Sequence, residues 1–190
     1  MYRIAIFASG EGTNARKFID YFRDKKDVTI SLIISNKKGA GVLDKAVKAG
    51  IPTIVVDKET FYETDKLVGK LKTEADFIVL AGFLWIIPDN IIKAFPRKMV
   101  NIHPALLPKY GGKGMYGRKV HEAVLANNEK ETGITIHYVN DKYDEGEIIF
   151  QAKCSINNSD TVETIAQKVH ELEYKYYPIT VEKLLLGNIS

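Results

Sequence analysis

The sequence predicts an α/β fold: a mostly parallel, doubly wound (Rossmann-like) sheet with a C-terminal antiparallel hairpin and a long C-terminal helix. Short apolar runs alternate with segments of helical periodicity through the first hundred residues, which is typical of parallel strands joined by helices. Two further strand-like runs then follow one another across a loop rich in turn residues. With 190 residues and no linker or repeat, the chain is expected to form a single domain, residues 1–190.

Five strands and four helices are predicted to alternate through the first half of the chain. The strands are expected over residues 2–8, 28–34, 53–56, 77–80 and 99–101, and the helices over residues 15–23, 42–49, 60–71 and 89–94. Phe18, Ile19 and Phe22 lie on one side of the first helix, and Gly50 closes the second. Because strand–helix–strand connections are right-handed, we expect successive strands to be parallel and covered by helices.

The pattern changes in the second half of the chain. A helix is predicted over residues 117–126, strands over residues 134–139 and 147–153, and a long helix over residues 162–185. Asn140–Gly146 joins the two strands and is rich in turn residues, so an antiparallel hairpin is expected. We expect the last helix to break near Pro178, because proline removes a helical hydrogen bond.

The composition favours a soluble protein of a reducing compartment. Of its residues, 45% are hydrophobic and 27% are charged, with a formal net charge of +3. There is no dense basic stripe, so nucleic acid is not an expected partner. No run is apolar enough for a signal peptide or a membrane span, and no membrane partner is expected. Cys154 is the single cysteine and is expected to pack in a strand. We expect a cytoplasmic monomer or homodimer.

Asn101 and His103 form the first candidate site. They follow a short apolar run, Lys98–Val100, and stand two residues apart, so an extended chain places both side chains on one face. Pro104 favours extended backbone at His103 and ends the strand. The carboxyl ends of parallel strands are where α/β sheets bind their ligands. The alternative is an asparagine that caps a turn beside a surface histidine.

A glycine-rich loop after the first strand forms the second candidate site. Gly10–Ala15 fits the pattern G-x-G-x-x-G/A between a strand and a helix, which favours anion binding at the helix N-terminus. Binding of NAD also needs an acidic residue at the end of the second strand, and Ile33–Asn36 contains none. A phosphate on a smaller ligand fits better, held by Gly12, Thr13 and Asn14. The alternative is a tight turn in which Thr13 or Asn14 caps the helix.

Asp144 is the third candidate, in the hairpin loop, where a carboxylate is otherwise a turn former. His137 precedes it on a strand and is as compatible with a buried as with an exposed position. No histidine and cysteine spacing fits a zinc site, and no nucleophile stands beside a base. An amide, an imidazole and a carboxylate remain, together with a phosphate-binding loop. These groups suit the direct transfer of a chemical group, a reaction that needs a hydrogen-bond donor to an oxyanion and a residue that accepts and donates a proton.

These residues lie in motifs that resemble the phosphoribosylglycinamide formyltransferase family across essentially the whole chain. The motifs are SGEGTN, ISNK, VLAGFLWII, NIHPALLPKYGGKGMYG, GITIHYVNDKYDEGEIIFQ and ELEYKYYP. The resemblance implies an enzyme that transfers the formyl group of 10-formyltetrahydrofolate to the amine of glycinamide ribonucleotide in de novo purine synthesis. It implies a phosphate-binding half, residues 1–100, and a catalytic and folate-contacting half, residues 101–190. It implies no metal.

The resemblance also assigns a role to each candidate residue. The implied catalytic residues are Asn101, His103 and Asp144. The substrate phosphate is implied to lie on Gly12, Thr13 and Asn14, and the rest of the substrate on Glu173 and Pro104. Folate is implied to contact Leu80, Phe83, Leu84, Trp85, Ile86, Ile87, Asn140 and Asp141. Asp144 is expected to keep His103 charged, because a nearby negative charge raises the pKa of an imidazole.

The chain departs from the family pattern in a few places. Ala105 stands where many members have serine, and Trp85 stands where a well-known member has arginine. Gly111–Gly117 replaces a Pro-Gly segment and could form a mobile flap. Two other functions stay open. One is a formyltetrahydrofolate hydrolase-like enzyme, in which water replaces the amine, and the other is a non-catalytic nucleotide-binding module of Rossmann type.

Overall fold

The computed structural model describes residues 1–187, which contain seven strands and seven helices. In chain order they are β1 (Tyr2–Phe7), α1 (Thr13–Phe22), β2 (Val28–Ser35), α2 (Gly41–Lys48), β3 (Thr53–Val55), α3 (Lys58–Tyr62), α4 (Lys66–Glu74), β4 (Phe77–Leu80), α5 (Asp89–Ala94), β5 (Met99–His103), α6 (Arg118–Ala126), β6 (Glu131–Tyr138), β7 (Ile148–Ser155) and α7 (Val162–Leu185). The strand order is β3-β2-β1-β4-β5-β6-β7. Parallel pairing of β1 to β4 and antiparallel pairing of β6 with β7 confirm the predicted fold class.

The chain divides into two compact units, of which the first is Met1–Val100 and the second begins at Asn101. The single domain expected over residues 1–190, with its phosphate-binding and catalytic halves, stays a prediction. No helix among residues 1–187 is long and apolar enough to cross a membrane.

The core of the first unit lies on both faces of its central strand, β1. Ile6 and Phe7 of β1 are completely buried, as are Ile33 and Ile34 of β2. β1 pairs in parallel with β2 in the register Ile6↔Ile33 and with β4 in the register Ile6↔Val79. Successive residues of a strand face opposite sides of the sheet, so burial of neighbours requires cover on both faces. This cover explains why β1 and β2 are continuous apolar runs in the sequence.

The single helix predicted over residues 60–71 is wrong, because the chain forms two helices there, α3 and α4. The Thr64 hydroxyl donates to the Thr60 carbonyl over 3.1 Å and accepts from the Lys66 N–H over 3.4 Å. Asp57 caps the start of α3 by accepting from the Thr60 N–H over 2.7 Å. Threonine and aspartate side chains compete with the backbone for helical hydrogen bonds, and apolar periodicity does not reveal that competition.

The second unit contains β6, which is buried along most of its length. Thr132–His137 are all buried, although three of these six residues are polar. β6 pairs antiparallel with β7 in the register Thr135↔Gln151, and α7 packs on both strands. A polar side chain on a strand covered in this way needs hydrogen-bond partners inside the protein.

The last helix runs unbroken from Val162 to Leu185, so the break expected near Pro178 is wrong. A capping box closes the first turn, where Thr161 and Thr164 exchange hydrogen bonds. Pro178 removes one backbone donor, which costs about 3 kcal/mol in a helix interior. Pro178 and its neighbour Tyr177 are both buried, and the burial of such side chains offsets that cost.

His121 is a buried imidazole outside the predicted sites. It lies on α6 with 2% of its surface exposed, and its Nδ1 has no hydrogen-bond partner among residues 1–187. Burial, with smaller contributions from His170 and His103, lowers the pKa of His121 from 6.5 to about 4. The unfolded chain therefore takes up this proton at a higher pH than the folded chain does. The folded state consequently loses stability as the pH falls from 6.5 to about 4.

Replacing His121 with glutamine should remove much of this acid sensitivity. Between pH 7 and pH 4.5, the wild-type protein is expected to lose about 2 kcal/mol more unfolding free energy than the variant. Urea unfolding at the two pH values measures the difference. His170→Gln is the matched control, because it removes an exposed histidine of the same unit, and it should keep most of the wild-type loss. Equal losses in wild type and His121→Gln would show that another group carries the acid sensitivity.

Candidate active site

Asn101 and His103 lie on the same face of β5, as their spacing leads us to expect. β5 runs over Met99–His103, two residues beyond its predicted end, so His103 is itself a strand residue. Asn101 is half-buried and His103 is 3% exposed. Because water hardly reaches the imidazole, the partners of its two nitrogens decide which of them carries a proton.

The Tyr110 carbonyl determines which nitrogen of His103 is protonated. Its oxygen lies 2.7 Å from Nε2, and a carbonyl oxygen only accepts hydrogen bonds, so Nε2 carries a proton. The other nitrogen, Nδ1, lies 3.4 Å from Oδ2 of Asp144. When neither group carries a proton here, their lone pairs face each other, and a proton gained by Nδ1 turns the contact into a hydrogen bond. Nδ1 is therefore the nitrogen of His103 that exchanges a proton.

The hairpin loop places Asp144 through a left-handed backbone conformation. Asp144 has a φ of 55°, which aspartate adopts more readily than most residues. The Gly112 N–H donates to its Oδ2 over 3.0 Å. A Cβ at Gly146 would lie 1.7 Å from the Tyr138 carbonyl oxygen, so only glycine lets the loop pass this close to β6. These two contacts hold the carboxylate beside His103.

His137 completes the polar cluster and orients the Asn101 amide. Its Nδ1 lies 2.9 Å from the Tyr138 carbonyl oxygen and donates to it. Nε2 of the same ring lies 3.2 Å from Nδ2 of Asn101 and 3.6 Å from Oδ1 of Asp144. The same Nδ2 approaches Oδ1 of Asp144 at 3.5 Å. The amide nitrogen of Asn101, rather than its oxygen, therefore faces the imidazole and the carboxylate.

Burial and charge have opposite effects on the pKa values in this cluster. Burial lowers the pKa of His103, and the Asp144 carboxylate and the Tyr110 carbonyl oppose the effect only in part. Burial alone would raise the pKa of Asp144, but contacts with His137, His103 and the Gly112 N–H hold it below its ordinary value. The expectation that Asp144 keeps His103 charged is therefore wrong in its net direction. Asp144 raises the pKa of the imidazole, yet burial outweighs it, and the resting ring is mostly neutral at pH 7.

The predicted phosphate loop lies between β1 and α1 of the first unit. Gly12 is the N-cap residue of α1, with a φ of 70°, and a Cβ there would lie 2.5 Å from the Val42 side chain. No side chain caps this helix, so the alternative in which Thr13 or Asn14 is the cap is wrong. A helix N-terminus without a side-chain cap presents backbone N–H groups to an anion, and Thr13 is exposed beside them.

The segment predicted to contact folate in the first unit alternates between exposed and packed side chains. Leu84 and Ile86 are 50% and 38% exposed. Trp85, between them, packs its ring against Phe61 and Phe83, with centroid distances of 5.4 Å and 6.3 Å. The other predicted residues of this segment are the buried Leu80 and Ile87 and the half-buried Phe83. The alternation presents apolar side chains to solvent while it anchors the tryptophan.

The remaining predicted residues belong to the second unit. The Asn140 side chain accepts from the Lys142 N–H over 3.0 Å and so forms a local turn, while Asp141 is exposed. Glu173 lies on α7 and is 6% exposed, and Pro104 is half-buried directly after β5. Glutamate is seldom this deeply buried, so the position of Glu173 is unusual for its residue type.

The cluster around His103 contains partners that the sequence did not indicate. Tyr110 and Gly112 act through backbone groups, which leave no side-chain pattern in a sequence. Thr135 and Gln151 hydrogen-bond to the segment that follows β5. The sequence feature that could have indicated Thr135 is a hydroxyl on a strand expected to be buried, since such a group requires hydrogen-bond partners. Within residues 1–187, no group of three or more His, Cys, Asp or Glu side chains is placed to hold a metal. The expected absence of metal stays a prediction.

The cluster can stabilise a developing oxyanion and move one proton. Nδ2 of Asn101 and a protonated Nδ1 of His103 are hydrogen-bond donors, and the Asp144 carboxylate is a proton acceptor beside them. In a site with so little water, donors of this kind stabilise a developing negative charge more than they would in solution. This chemistry suits the transfer of an acyl group.

Comparison with known proteins identifies the family of this chain. The family model for formyl transferases matches residues 2–181. Phosphoribosylglycinamide formyltransferase of Bacillus subtilis is 33% identical over 191 residues, which cover 97% of this chain and 95% of that protein. A solved structure, glycinamide ribonucleotide transformylase 1 from Symbiobacterium toebii, matches with a TM-score of 0.89 and 29% identity, over 98% of this chain and 89% of that one. The chain belongs to the formyl transferase family.

The plant relatives are longer than this chain. Chloroplastic phosphoribosylglycinamide formyltransferase of Arabidopsis thaliana is 41% identical over 182 residues, which cover 92% of this chain and 62% of that protein. The corresponding protein of Vigna unguiculata is 40% identical, with 60% of its length covered. The chain therefore spans less than two thirds of these two relatives.

Asp144→Asn should lower the pKa of His103. The substitution preserves the size of the side chain and removes the negative charge that raises the pKa of the buried imidazole. An NMR titration of the His103 ring should therefore move to lower pH in the variant. Asp141→Asn is the matched control, because Asp141 is an exposed carboxylate of the same loop, and it should leave the titration in place. If the His103 titration did not move in Asp144→Asn, the two side chains would not be coupled.

Proposed function

We propose that this chain transfers the formyl group of 10-formyltetrahydrofolate to the amine of glycinamide ribonucleotide, in de novo purine synthesis in the cytoplasm. The observation that carries the proposal is the approach of His103 Nδ1 to the Asp144 carboxylate, with the Asn101 amide nitrogen beside them. Membership of the formyl transferase family and relatives named for this activity support the choice of substrates.

The proposed reaction needs a partner for an oxyanion and a path for one proton. The neutral amine attacks the formyl carbon, a carbon–nitrogen bond forms, and the formyl oxygen becomes negatively charged. As the tetrahedral species collapses, the bond from carbon to N10 of the folate breaks. The proton lost by the amine ends on N10. Atoms and charge then balance with no covalent intermediate on the enzyme.

Asn101 and His103 are the proposed donors to the oxyanion. Nε2 of His103 is committed to the Tyr110 carbonyl, so Nδ1 is the ring nitrogen that can supply a hydrogen bond. The Asn101 amide presents its nitrogen on the same side of the cluster. Removing one donor of this kind typically costs about 3–4 kcal/mol of transition-state stabilisation.

The pair formed by His103 and Asp144 is the proposed proton relay. In the resting pair the imidazole has a lowered pKa and the carboxyl group is ionised, so the pair is ready to accept a proton. The amine loses its proton as it attacks, and the growing negative charge on the formyl oxygen raises the pKa of the imidazole beside it. The proton therefore settles on Nδ1 when the oxyanion forms, and it passes to N10 when the oxyanion collapses.

The binding elements proposed for the two substrates follow the family resemblance and the local structure. The ribonucleotide phosphate is assigned to Gly12, Thr13 and Asn14 at the N-terminus of α1, where backbone N–H groups favour an anion. The rest of the ribonucleotide is assigned to Glu173 and Pro104. The folate is assigned to Leu80, Phe83, Leu84, Trp85, Ile86, Ile87, Asn140 and Asp141.

An assay of formyl transfer from 10-formyltetrahydrofolate to glycinamide ribonucleotide tests the proposal. We expect loss of the formyl group to depend on the acceptor. Loss at the same rate without acceptor would identify a hydrolase-like enzyme, and binding without turnover would identify a non-catalytic nucleotide-binding module. In the same assay, Asp144→Asn should lower kcat by at least about a hundredfold, the low end of general acid–base effects, with smaller changes in ligand affinity.

Thr13→Glu should weaken binding of the ribonucleotide without weakening binding of folate. Gly12 is unsuitable for this test, because any side chain there would collide with Val42. A glutamate at the first position of α1 is compatible with the helix, since negative charge is favourable at a helix N-terminus. The same charge repels a bound phosphate, and a loss of at least about tenfold in affinity is expected.

Calorimetry with each ligand in turn measures this effect of Thr13→Glu. Thr13→Gln is the control, because it has nearly the same size without the charge, and it should bind the ribonucleotide much better than the glutamate variant. Equal affinities of the two variants for the ribonucleotide would show that the phosphate does not bind at this loop.

A further inference from the structure

We propose that Thr135 and Gln151 are positioning residues that hold the segment Ala105–Tyr110 so that the Tyr110 carbonyl keeps His103 protonated at Nε2. We call these two side chains the β6–β7 clamp. The inference deepens the proposed function and rests on it, because the clamp matters to catalysis only if Nδ1 of His103 exchanges the proton. Both residues act on His103 through this segment.

The clamp is a closed set of hydrogen bonds around one buried hydroxyl. Thr135 is completely buried on β6, and its Oγ1 donates to the Ala105 carbonyl over 2.7 Å. The same oxygen accepts from the Leu107 N–H over 3.0 Å and from Nε2 of Gln151 over 2.8 Å. A hydroxyl offers one donor and two acceptor positions, so Oγ1 is fully satisfied. Gln151 also donates to the Leu107 carbonyl over 3.1 Å, so both backbone polar groups of Leu107 are held.

The far end of the segment is held by a separate contact. The Tyr110 hydroxyl donates to Oε1 of Glu129 over 2.9 Å, and Nζ of Lys109 lies 2.9 Å from the same oxygen. The clamp at Leu107 and the anchor at Glu129 restrain the chain before the Tyr110 carbonyl, and the hydrogen bond from the Gly112 N–H to Asp144 restrains it after that carbonyl. Hydrogen bonds at both ends of so short a segment leave little freedom for that carbonyl to move away from His103.

The position of the Tyr110 carbonyl decides which tautomer the neutral imidazole adopts. With the carbonyl 2.7 Å from Nε2, the proton stays on Nε2 and the Nδ1 position is open to exchange. If the segment moved away, the ring could instead place its single proton on Nδ1, where the Asp144 carboxylate would accept it. Nδ1 would then be occupied in the resting state and could not take the proton of the attacking amine. The clamp thus prevents the wrong tautomer, although it lies outside the cluster.

The chain offers a matched control on the same strand. Thr132 is also a buried threonine of β6, 2% exposed, and its hydroxyl has no hydrogen-bond partner among residues 1–187. Thr135→Val and Thr132→Val therefore make the same chemical change on the same strand. Thr135→Val removes the hydroxyl at the centre of the clamp. Thr132→Val removes a hydroxyl that has no hydrogen-bond partner in the described part of the chain.

The test reads the tautomer of His103 by nitrogen-15 NMR and the transfer rate by the formyl transfer assay. In wild type and Thr132→Val, we expect the neutral ring to be protonated at Nε2 only. In Thr135→Val, we expect a measurable population protonated at Nδ1, and a fall in kcat of about tenfold to a hundredfold with smaller changes in KM. Thr135→Ser, which keeps the hydroxyl, should restore the wild-type tautomer. A single Nε2-protonated form in Thr135→Val, with kcat equal to that of Thr132→Val, would overturn the proposal.

Gln151 variants keep the proposal testable if Thr135→Val does not fold. Gln151 is exposed, so Gln151→Leu should fold, yet it lacks the donors that hold Oγ1 and the Leu107 carbonyl. Gln151→Leu should raise the population of His103 protonated at Nδ1, as Thr135→Val does, but by less. If that population did not change in a folded Gln151→Leu, Gln151 would not belong to the clamp. Failure of the proposed function would show itself differently, as a wild-type protein that transfers no formyl group whatever the tautomer of its His103.

Discussion

The hydrogen bond from Nε2 of His103 to the Tyr110 carbonyl is the constraint on which the chemistry of the second unit depends. It fixes a proton on Nε2. The contact between Nδ1 and Asp144 is then the place where a second proton is gained or lost. The neighbouring groups also have defined roles, because Asn101 presents its amide nitrogen to the Asp144 carboxylate. Without that hydrogen bond, the same four side chains would share their protons in several ways, and no single arrangement would be favoured.

Two glycines make the close approach of the surrounding loops possible. At Gly111 a Cβ would lie 2.5 Å from the Leu107 side chain and 3.3 Å from Cβ of Asp144. At Gly146 a Cβ would lie 1.7 Å from the Tyr138 carbonyl oxygen. Gly111 therefore brings the segment after β5 against Asp144 of the loop after β6, and at Gly146 only glycine fits beside β6. The glycine-rich stretch that departs from the family pattern thus supplies the Gly112 N–H that binds Asp144, as well as the space that Gly111 leaves for Leu107.

The parts of this protein that follow from local chemistry could be predicted from the sequence. β1 and β2 were predictable because strands buried on both faces are continuous apolar runs, and Asn101 with His103 because a period of two places them together before a proline. The interruption between α3 and α4 depends on the Thr64 side chain, and the unbroken course of α7 depends on the burial of Pro178. The first is a local competition for hydrogen bonds that apolar periodicity does not reveal, and the second is decided by tertiary packing that a local pattern does not contain. The Tyr110 carbonyl was not predictable at all, since every residue type carries one.

In the described part of the second unit, the unsatisfied buried polar groups are not members of the cluster around His103. The ring nitrogens of His103 and His137 all have partners and the Thr135 hydroxyl has three, whereas the buried side-chain atoms without a partner in the described part of this unit belong to His121 and Thr132. Leaving a buried group unsatisfied costs about 1–3 kcal/mol. Here that cost falls on His121 and Thr132, which lie outside the proposed proton relay. A cluster that gains and loses one proton works reproducibly only if its other hydrogens keep their places. The hydrogen bonds that stabilise this part of the fold are therefore the same bonds that leave Nδ1 as the one position free to change.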